Sequence, residues 1–177
     1  MGTPQVLISR SEIDAAVRRL AGEIKSDLSG EIPLLVCVLK GSFVFAADLV
    51  RALNIPLEIQ FVCASSYGGG TETSGKVKMR LGIKGPIAGR HVVVLEDIVD
   101  TGLTVSRIMK YLSRKKPSEV RLCALLDKPS RRRVPVTADY CGFTVPDRFI
   151  VGYGIDWDEK FRYLPDICFI ENGAKND

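Results

Sequence analysis

Residues Val92–Val105 read VVVLEDIVDTGLTV, and the fold turns on this stretch. Four apolar residues are too few for a buried helix, and their β-branched character suits a strand covered on both faces. The adjacent carboxylates Glu96 and Asp97 follow this run, and Asp100 comes after them. Thr101-Gly102 then opens a segment with helical periodicity, expected from about Thr101 to Ser113. A helix starting at a strand end aims its positive pole, with free N–H groups, at whatever lies beyond the sheet. Backbone N–H groups from Asp100 to Thr104, with the hydroxyls of Thr101 and Thr104, suit a phosphomonoester. Gly102 allows its close approach, and Leu103 contributes only backbone. Glu96 and Asp97 suit vicinal ribose hydroxyls or a Mg²⁺ ion, since both partners favour hard carboxylate oxygens. Asp100 is left for proton chemistry. An acidic solvated loop, or the carboxylate pocket of a phosphoryl-accepting regulator, are the alternatives this stretch leaves open.

Working outward, the segments on either side alternate between strand and helix. Toward the N-terminus, Ser11 and Asp14 resemble a capping box, followed by Ile13, Val17, Leu20, Ile24 and Leu28 at helical spacing. Leu34–Leu39 (LLVCVL) is a second buried strand, followed by a helix over Phe43–Leu53. Leu57, Ile59, Phe61 and Cys63 alternate as a strand does, as do Val77, Met79 and Leu81, so an antiparallel pair is expected. Toward the C-terminus, Val120–Leu126 (VRLCALL) closes a βαβ unit with the 92–113 segment, and Phe149–Val151 and Ile167–Ile170 are further strands. The pattern predicts an α/β protein with a mainly parallel, twisted central sheet flanked by helices. Ligands of such folds bind beyond the carboxyl ends of the strands. With no internal repeat or linker, residues 1–177 are expected to form a single domain.

Bulk properties narrow the class. Of 177 residues, 46% are hydrophobic and 26% charged, as in ordinary globular proteins. Five cysteines with no C-x-x-C spacing argue for reduced thiols in a reducing compartment, hence a cytoplasmic location, and against a zinc site. The segment 1–9 lacks a secretion signal, and no apolar stretch is long enough for a membrane span. A formal charge of +4 is mild and does not by itself point to nucleic acid.

VVVLEDIVDTGLTV resembles the phosphoribosyl-pyrophosphate motif of the type I phosphoribosyltransferases, and its Glu-Asp-x-x-Asp-Thr-Gly form resembles the hypoxanthine-guanine branch. Leu39-Lys40-Gly41 is similar to that branch's pyrophosphate loop, Ser66-Tyr67 to the start of its mobile lid, and Phe149–Asp156 (FIVGYGID) to its purine-binding stretch. The resemblance runs from about Val6 to Glu171. It implies the type I fold with a small hood from both terminal segments and a lid at about 65–76. It also implies transfer of the 5-phosphoribosyl group from phosphoribosyl pyrophosphate to hypoxanthine or guanine, and possibly xanthine, in purine salvage.

The resemblance also implies residue roles. Asp100 takes the proton from, or hydrogen-bonds to, the imidazole-ring nitrogen of the base. Glu96, Asp97, Asp100, Thr101, Gly102, Leu103 and Thr104 hold ribose and 5-phosphate. Lys40, Gly41, Ser66, Tyr67 and Arg162 meet pyrophosphate, and Lys128, Phe149, Ile150 and Asp156 meet the purine. Mg²⁺ is the implied cofactor, with Glu96, Asp97 and Asp156 as its carboxylates. A cis Leu39–Lys40 peptide and a homodimer or homotetramer are implied as well. Leu103 stands where some relatives carry lysine, so a side-chain contact to the donor is lost there.

The remaining signals are weaker. Gly70–Val77 (GTETSGKV) falls one residue short of a Walker A loop and leads into a strand, not the helix a P-loop requires. His91 lacks partners at ligand spacing and is expected to be structural. Arg131-Arg132-Arg133 has no interleaved aromatics, so a solvated loop or subunit contact is a better reading than RNA binding. The rivals are a phosphoribosyltransferase of other base specificity and an RNA-binding regulator on the same fold.

Overall fold

The computed structural model describes residues 2–66 and 77–171. Strands β2 (Leu34–Leu39), β3 (Glu58–Ser66), β4 (Val77–Leu81), β5 (His91–Val99), β6 (Glu119–Asp127) and β7 (Tyr140–Thr144) form a six-stranded sheet in the order β4-β3-β2-β5-β6-β7. Only β4 is antiparallel to its neighbour. Strands β1 (Gln5–Ile8), β8 (Phe149–Val151) and β9 (Ile167–Ile170) form a separate antiparallel three-stranded sheet, the hood, in the order β1-β9-β8.

Strand periodicity of two assigns the core. Leu35 and Cys37 of β2, Val93 and Leu95 of β5, and Cys123 and Leu125 of β6 face helices α1 (Arg10–Leu28) and α2 (Phe43–Leu53). The alternate residues Leu34, Val36, Val92, Val94, Leu122 and Ala124 pack against α3 (Leu103–Ser113) through Val105, Ile108 and Leu112. Both faces of the central strands are thereby covered, which explains their continuous apolar runs.

Several boundaries differ from expectation. The α1 cap is Ser9 with Glu12, not Ser11 with Asp14: Ser9 Oγ accepts from Glu12 N, and Ser9 N donates to Glu12 Oε2 at 2.8 Å. Both pairs have the spacing of the motif, but only Glu12 is the Glu or Gln that the capping box calls for at its fourth position. Glu96 and Asp97 do not follow the strand but lie within it, because β5 continues its pairing with β6 through Val99↔Asp127. Helix α3 begins at Leu103, with Gly102 as N-cap at φ 80°, a left-handed conformation suited to glycine. Strands β1 and β7 were not anticipated, being short and only partly buried.

The sheet order creates the site. From β2 the chain crosses over α2 to β3 on one side, and from β5 it crosses over α3 to β6 on the other. Adjacent parallel strands whose crossovers leave in opposite directions open a crevice at their carboxyl ends, the topological switch point. Lys40-Gly41 and the Glu96–Thr104 segment meet at this crevice. No helix among the described residues is long and apolar enough to cross a membrane.

Candidate active site

Gly41 shows how closely the two strand ends are fitted. A Cβ built on it would lie 1.8 Å from Asp97 Oδ2, and one built on Gly154 would lie 2.5 Å from Gly41 O. The β2–α2 turn therefore nests between the Asp97 carboxylate and the Gly152–Gly154 turn after β8. Ser42, the N-cap of α2, is fully buried and donates through Oγ to Val38 O at 2.6 Å, locking the turn from beneath. The Leu39–Lys40 peptide is cis, the only such bond among the described residues.

The carboxylates of β5 sit in unlike surroundings. Glu96 is buried, its Oε2 has no hydrogen-bond partner, and burial followed by the Asp97 charge raises its pKa well above the usual range. Asp97 is raised to about 6, chiefly by burial, against hydrogen bonds from the backbone of Asp97 and Ile98 and the opposing charge of Arg162. Asp100 Oδ1 is also buried without a hydrogen-bond donor, with Arg131 Nε 3.4 Å from that oxygen, within ion-pair range only. Buried carboxylate oxygens without partners have capacity left for a ligand's hydroxyls, protons or cation.

Raised pKa values make a signed prediction for ligand-free, chelator-treated protein. Asp97 binds its proton more tightly folded than unfolded, so its stabilising contribution is present below about pH 4 and lost as pH rises through about 6. Asp97→Asn removes this loss. The variant's stability relative to the parent should climb between about pH 4 and 6, by about 3 kcal/mol from Asp97 itself, and further where Glu96 ionises, because the Asp97 charge that helps raise the Glu96 pKa is gone. Taking the difference cancels Asp48 and Glu119, whose lowered pKa values act in the opposite sense. Paired urea titrations across pH 4–8 measure it, and a flat difference would refute the assignment.

Cations gather on the side of Lys40. Lys40 Nζ contacts Glu159 Oε1 at 2.6 Å, and Arg162 Nη2 contacts Glu159 Oε2 at 3.1 Å and Asp156 Oδ1 at 2.7 Å. Arg162 Nη1 also donates to Gly154 O at 2.7 Å. Hydrogen bonds from Lys40 and Arg162 lower the pKa of Glu159. Glu159 thus bridges both cations with one carboxylate. Sequence reading missed it, since nothing in DWDEKFR singles it out.

On the other side of Asp100 lies a cavity of about 590 Å³, lined by Ile98, Asp100, Lys128, Arg131, Phe149, Ile150 and Ile155 among others. Its size and mixed lining suit a flat polar heterocycle. Lys128 is only 6% exposed and donates from Nζ to Arg148 O at 2.8 Å, so it is not a surface lysine. Phe149 is 40% exposed, with its ring set by Trp157 at a centroid distance of 5.0 Å and an angle of 57°. Ile150 is buried in β8.

The structure therefore brings Lys40, Gly41, Glu96, Asp97, Asp100, Lys128, Phe149, Asp156 and Arg162 around one crevice, with Thr101–Thr104 at the entry of α3. Ser66 closes β3, while Tyr67 and most of the 65–76 segment lie outside the described residues, as does the near-Walker stretch up to Lys76. No group of three or more His, Cys, Asp or Glu side chains among the described residues is placed to hold a metal alone. A divalent ion here needs ligand oxygens to complete its shell. That is the usual condition of Mg²⁺, which pairs one or two carboxylates with substrate phosphates.

His91 is structural as expected: Nδ1 lies 2.7 Å from Glu119 Oε1 and Nε2 2.9 Å from Glu31 Oε2. All five cysteines are free. The arginine run is not a plain solvated loop. Arg131 lines the cavity, and Arg132 pairs with Asp127 and donates to Asp100 O at 2.9 Å.

A parallel sheet with an acidic strand at its switch point, a phosphate-suited helix entry and a hood over a heterocycle-sized cavity define the type I phosphoribosyltransferase class. Residues 9–158 match the phosphoribosyl transferase domain family. The chain is 43% identical to the hypoxanthine-guanine phosphoribosyltransferase of Leishmania donovani, over 93% of this chain and 82% of that one. A crystal structure of a Bacillus anthracis hypoxanthine-guanine phosphoribosyltransferase, with a HEPES molecule in its active site, superposes at a TM-score of 0.90 and 47% identity, covering 97% of this chain and 100% of that one. A Trypanosoma cruzi hypoxanthine phosphoribosyl transferase, studied for the role of its C-terminal region in oligomeric state and activity, superposes at 0.88 and 40% identity, covering 94% and 91%. The chain belongs to the hypoxanthine-guanine phosphoribosyltransferase family.

Proposed function

We propose that this chain serves purine salvage by joining a 6-oxopurine, hypoxanthine or guanine and possibly xanthine, to the 5-phosphoribosyl group of phosphoribosyl pyrophosphate. Pyrophosphate and the nucleoside monophosphate are the products. The observation that carries the reading is Asp100, which lines the Lys128–Phe149 cavity and follows directly on the strand that bears Glu96 and Asp97.

The roles follow from that arrangement. The N–H groups and hydroxyls of Thr101–Thr104 take the 5-phosphate at the positive end of α3. Glu96 and Asp97 take the ribose hydroxyls, whose donated hydrogen bonds favour the ionised carboxylates that burial disfavours. Phe149 stacks on the base, and the buried Lys128 ammonium donates to its 6-oxo group. The bond from the anomeric carbon to pyrophosphate breaks as the purine nitrogen bonds to that carbon. Asp100 receives the proton that nitrogen gives up. Lys40 and Arg162 exchange Glu159 for the departing pyrophosphate and balance its charge. The family resemblance assigns Gly41, Ser66 and Tyr67 to the same group, Tyr67 lying outside the described residues.

Mg²⁺ would be held by one or two at a time of the carboxylates Glu96, Asp97 and Asp156, with substrate oxygens filling its shell, and would supply charge neutralisation at the pyrophosphate. The reading includes one working domain, a cytoplasmic setting consistent with five reduced cysteines, and a homodimer or homotetramer. Exposed Phe43, Ile59, Phe61 and Leu81 support association, as large apolar side chains on one side of the sheet. The RNA-binding alternative is disfavoured, because Arg131 and Arg132 are engaged by Asp100, Asp127 and Asp147.

Incubating the protein with Mg²⁺, phosphoribosyl pyrophosphate and each free base, then separating nucleotides, tests the reading. Nucleotide from hypoxanthine or guanine is expected, and none from either would overturn it. Lys128→Ala should reduce the preference for hypoxanthine over adenine by about 10-fold or more, since adenine offers an amino group where the lysine needs an acceptor. Competition kinetics with both bases measure this, and an unchanged ratio would remove Lys128 from base selection.

A further inference from the structure

The arginine run that the sequence left without a role lies directly behind the phosphate-suited loop. Val99, Asp100 and Thr101 form the turn from β5 toward α3, and the carbonyl of each is taken by the segment after β6. Lys128 N donates to Val99 O at 3.0 Å. Arg132 Nη1 donates to Asp100 O at 2.9 Å, and Arg133 N and Val134 N donate to Thr101 O at 2.9 and 3.2 Å. The same segment backs Gly102, where a Cβ would lie 2.9 Å from Val134 O and 3.2 Å from Arg132 Cδ.

A trans peptide points its C=O and the following N–H in opposite directions. Fixing the carbonyls of Val99, Asp100 and Thr101 on the strap side therefore aims the N–H groups of Asp100, Thr101 and Gly102 away from it. Among the described residues, the N–H groups of Thr101 and Gly102 meet no protein acceptor. They are left for a ligand. Among the described residues, Arg132 supplies the one side-chain hydrogen bond from the strap to these carbonyls, and it is itself held by Asp127 at the end of β6, with only 16% of its side chain exposed. A planar guanidinium with divergent N–H groups can serve Asp127 and Asp100 O together, which a lysine ammonium does less well.

We propose that Arg132, braced by Asp127, is a positioning residue that aligns the loop amides for the 5-phosphate of the donor. It acts through the loop and does not itself touch substrate. The inference rests on the placement of the 5-phosphate at Thr101–Thr104 given above. Loss of the brace leaves the Asp100–Thr101 peptide free to rotate, so binding of the phosphate end weakens while the purine and pyrophosphate subsites stay intact.

Arg132→Ala, Arg132→Lys and Asp127→Asn are to be compared with the parent by steady-state kinetics and by calorimetric binding of ribose 5-phosphate and of pyrophosphate with Mg²⁺. For Arg132→Ala, a donor KM and a ribose 5-phosphate Kd raised about 10- to 100-fold are expected, the scale on which small misplacements act. The KM for hypoxanthine and the Kd for pyrophosphate should hold within about 2-fold, and Arg132→Lys should recover part of the loss. A purely structural role predicts a lower melting temperature with unchanged constants for the folded fraction, and that result overturns the proposal. So does an equal loss at all subsites. If Arg132→Ala does not fold, the same split in Arg132→Lys and Asp127→Asn decides the matter. Failure of the parent protein to bind ribose 5-phosphate refutes the phosphate placement itself, a result distinguishable from parent-like binding in the variants.

Discussion

Asp100→Asn is expected to lower kcat by about 10²-fold or more while leaving the KM for the donor within about 2-fold, the range seen when a general base is lost. Asparagine keeps the shape of the side chain, and its amide oxygen can still accept a hydrogen bond. It cannot take a proton as the new bond to the anomeric carbon forms. Asp100 lines the cavity, and its buried Oδ1 has no hydrogen-bond donor, so no neighbouring group stands ready to replace it. Arg131 Nε, 3.4 Å from that oxygen, loses one of its two charge partners in the neutral variant and keeps Asp147. Donor affinity should survive because the phosphate grip belongs to the backbone of the following residues. Steady-state kinetics with either substrate varied make the measurement, and unchanged turnover would remove Asp100 from the chemistry.

Gly41→Ala should be at least as damaging, for a steric reason. The added methyl would stand 1.8 Å from Asp97 Oδ2 and 3.1 Å from Oδ1, so either the carboxylate swings out of the crevice or the turn into α2 backs away. Neither movement is free, since Ser42 holds the turn from below and the Gly154 backbone lies so close over Gly41 O that a Cβ there would come within 2.5 Å of it. A loss of kcat/KM of about 10²-fold is expected, together with destabilisation of about 1–3 kcal/mol from overpacking. Pairing it with Asp97→Ala removes the clash. The double variant should regain stability over Gly41→Ala but not activity, and a double-mutant cycle in urea reads the coupling directly. Additive effects on stability would show that the two residues do not touch as described.

Much of the architecture can be read locally. LLVCVL and VVVL are short, apolar and β-branched, so buried strands are the economical reading, and Phe43–Leu53 forms a helix with the bounds its periodicity implies. Errors cluster where two readings satisfy the same local rule. Ser9-Glu12 and Ser11-Asp14 both have capping spacing, and the longer Glu12 side chain, which reaches back to Ser9 N, makes the cap. Glu96 and Asp97 look like the end of a strand because charge usually marks solvent. Pairing with β6 carries β5 past them to Val99, which buries Glu96 and raises both pKa values.

The candidate site divides along the same line. Thr101-Gly102, the acidic pair and FIVGYGID are legible because each is a contiguous stretch whose residue types suit one chemistry. Glu159 between Lys40 and Arg162 is not, since a surface glutamate has no local mark until the hood folds over the turn after β2. Nor is Arg132, whose partners Asp127 and Asp100 O come from different strand ends, and whose neighbours in an Arg-Arg-Arg run suggest solvent.

By itself the sequence determined which segments become strands and helices and which short stretches carry acids, hydroxyls and glycines, because hydrophobic period and side-chain chemistry act over a few residues. Only the tertiary structure decided that β2 and β5 lie side by side with their crossovers diverging. That order sets Gly41 against Asp97 and the strap after β6 behind the 99–102 turn. Contacts between residues far apart in the chain depend on strand order and close packing, and no local pattern encodes those distances.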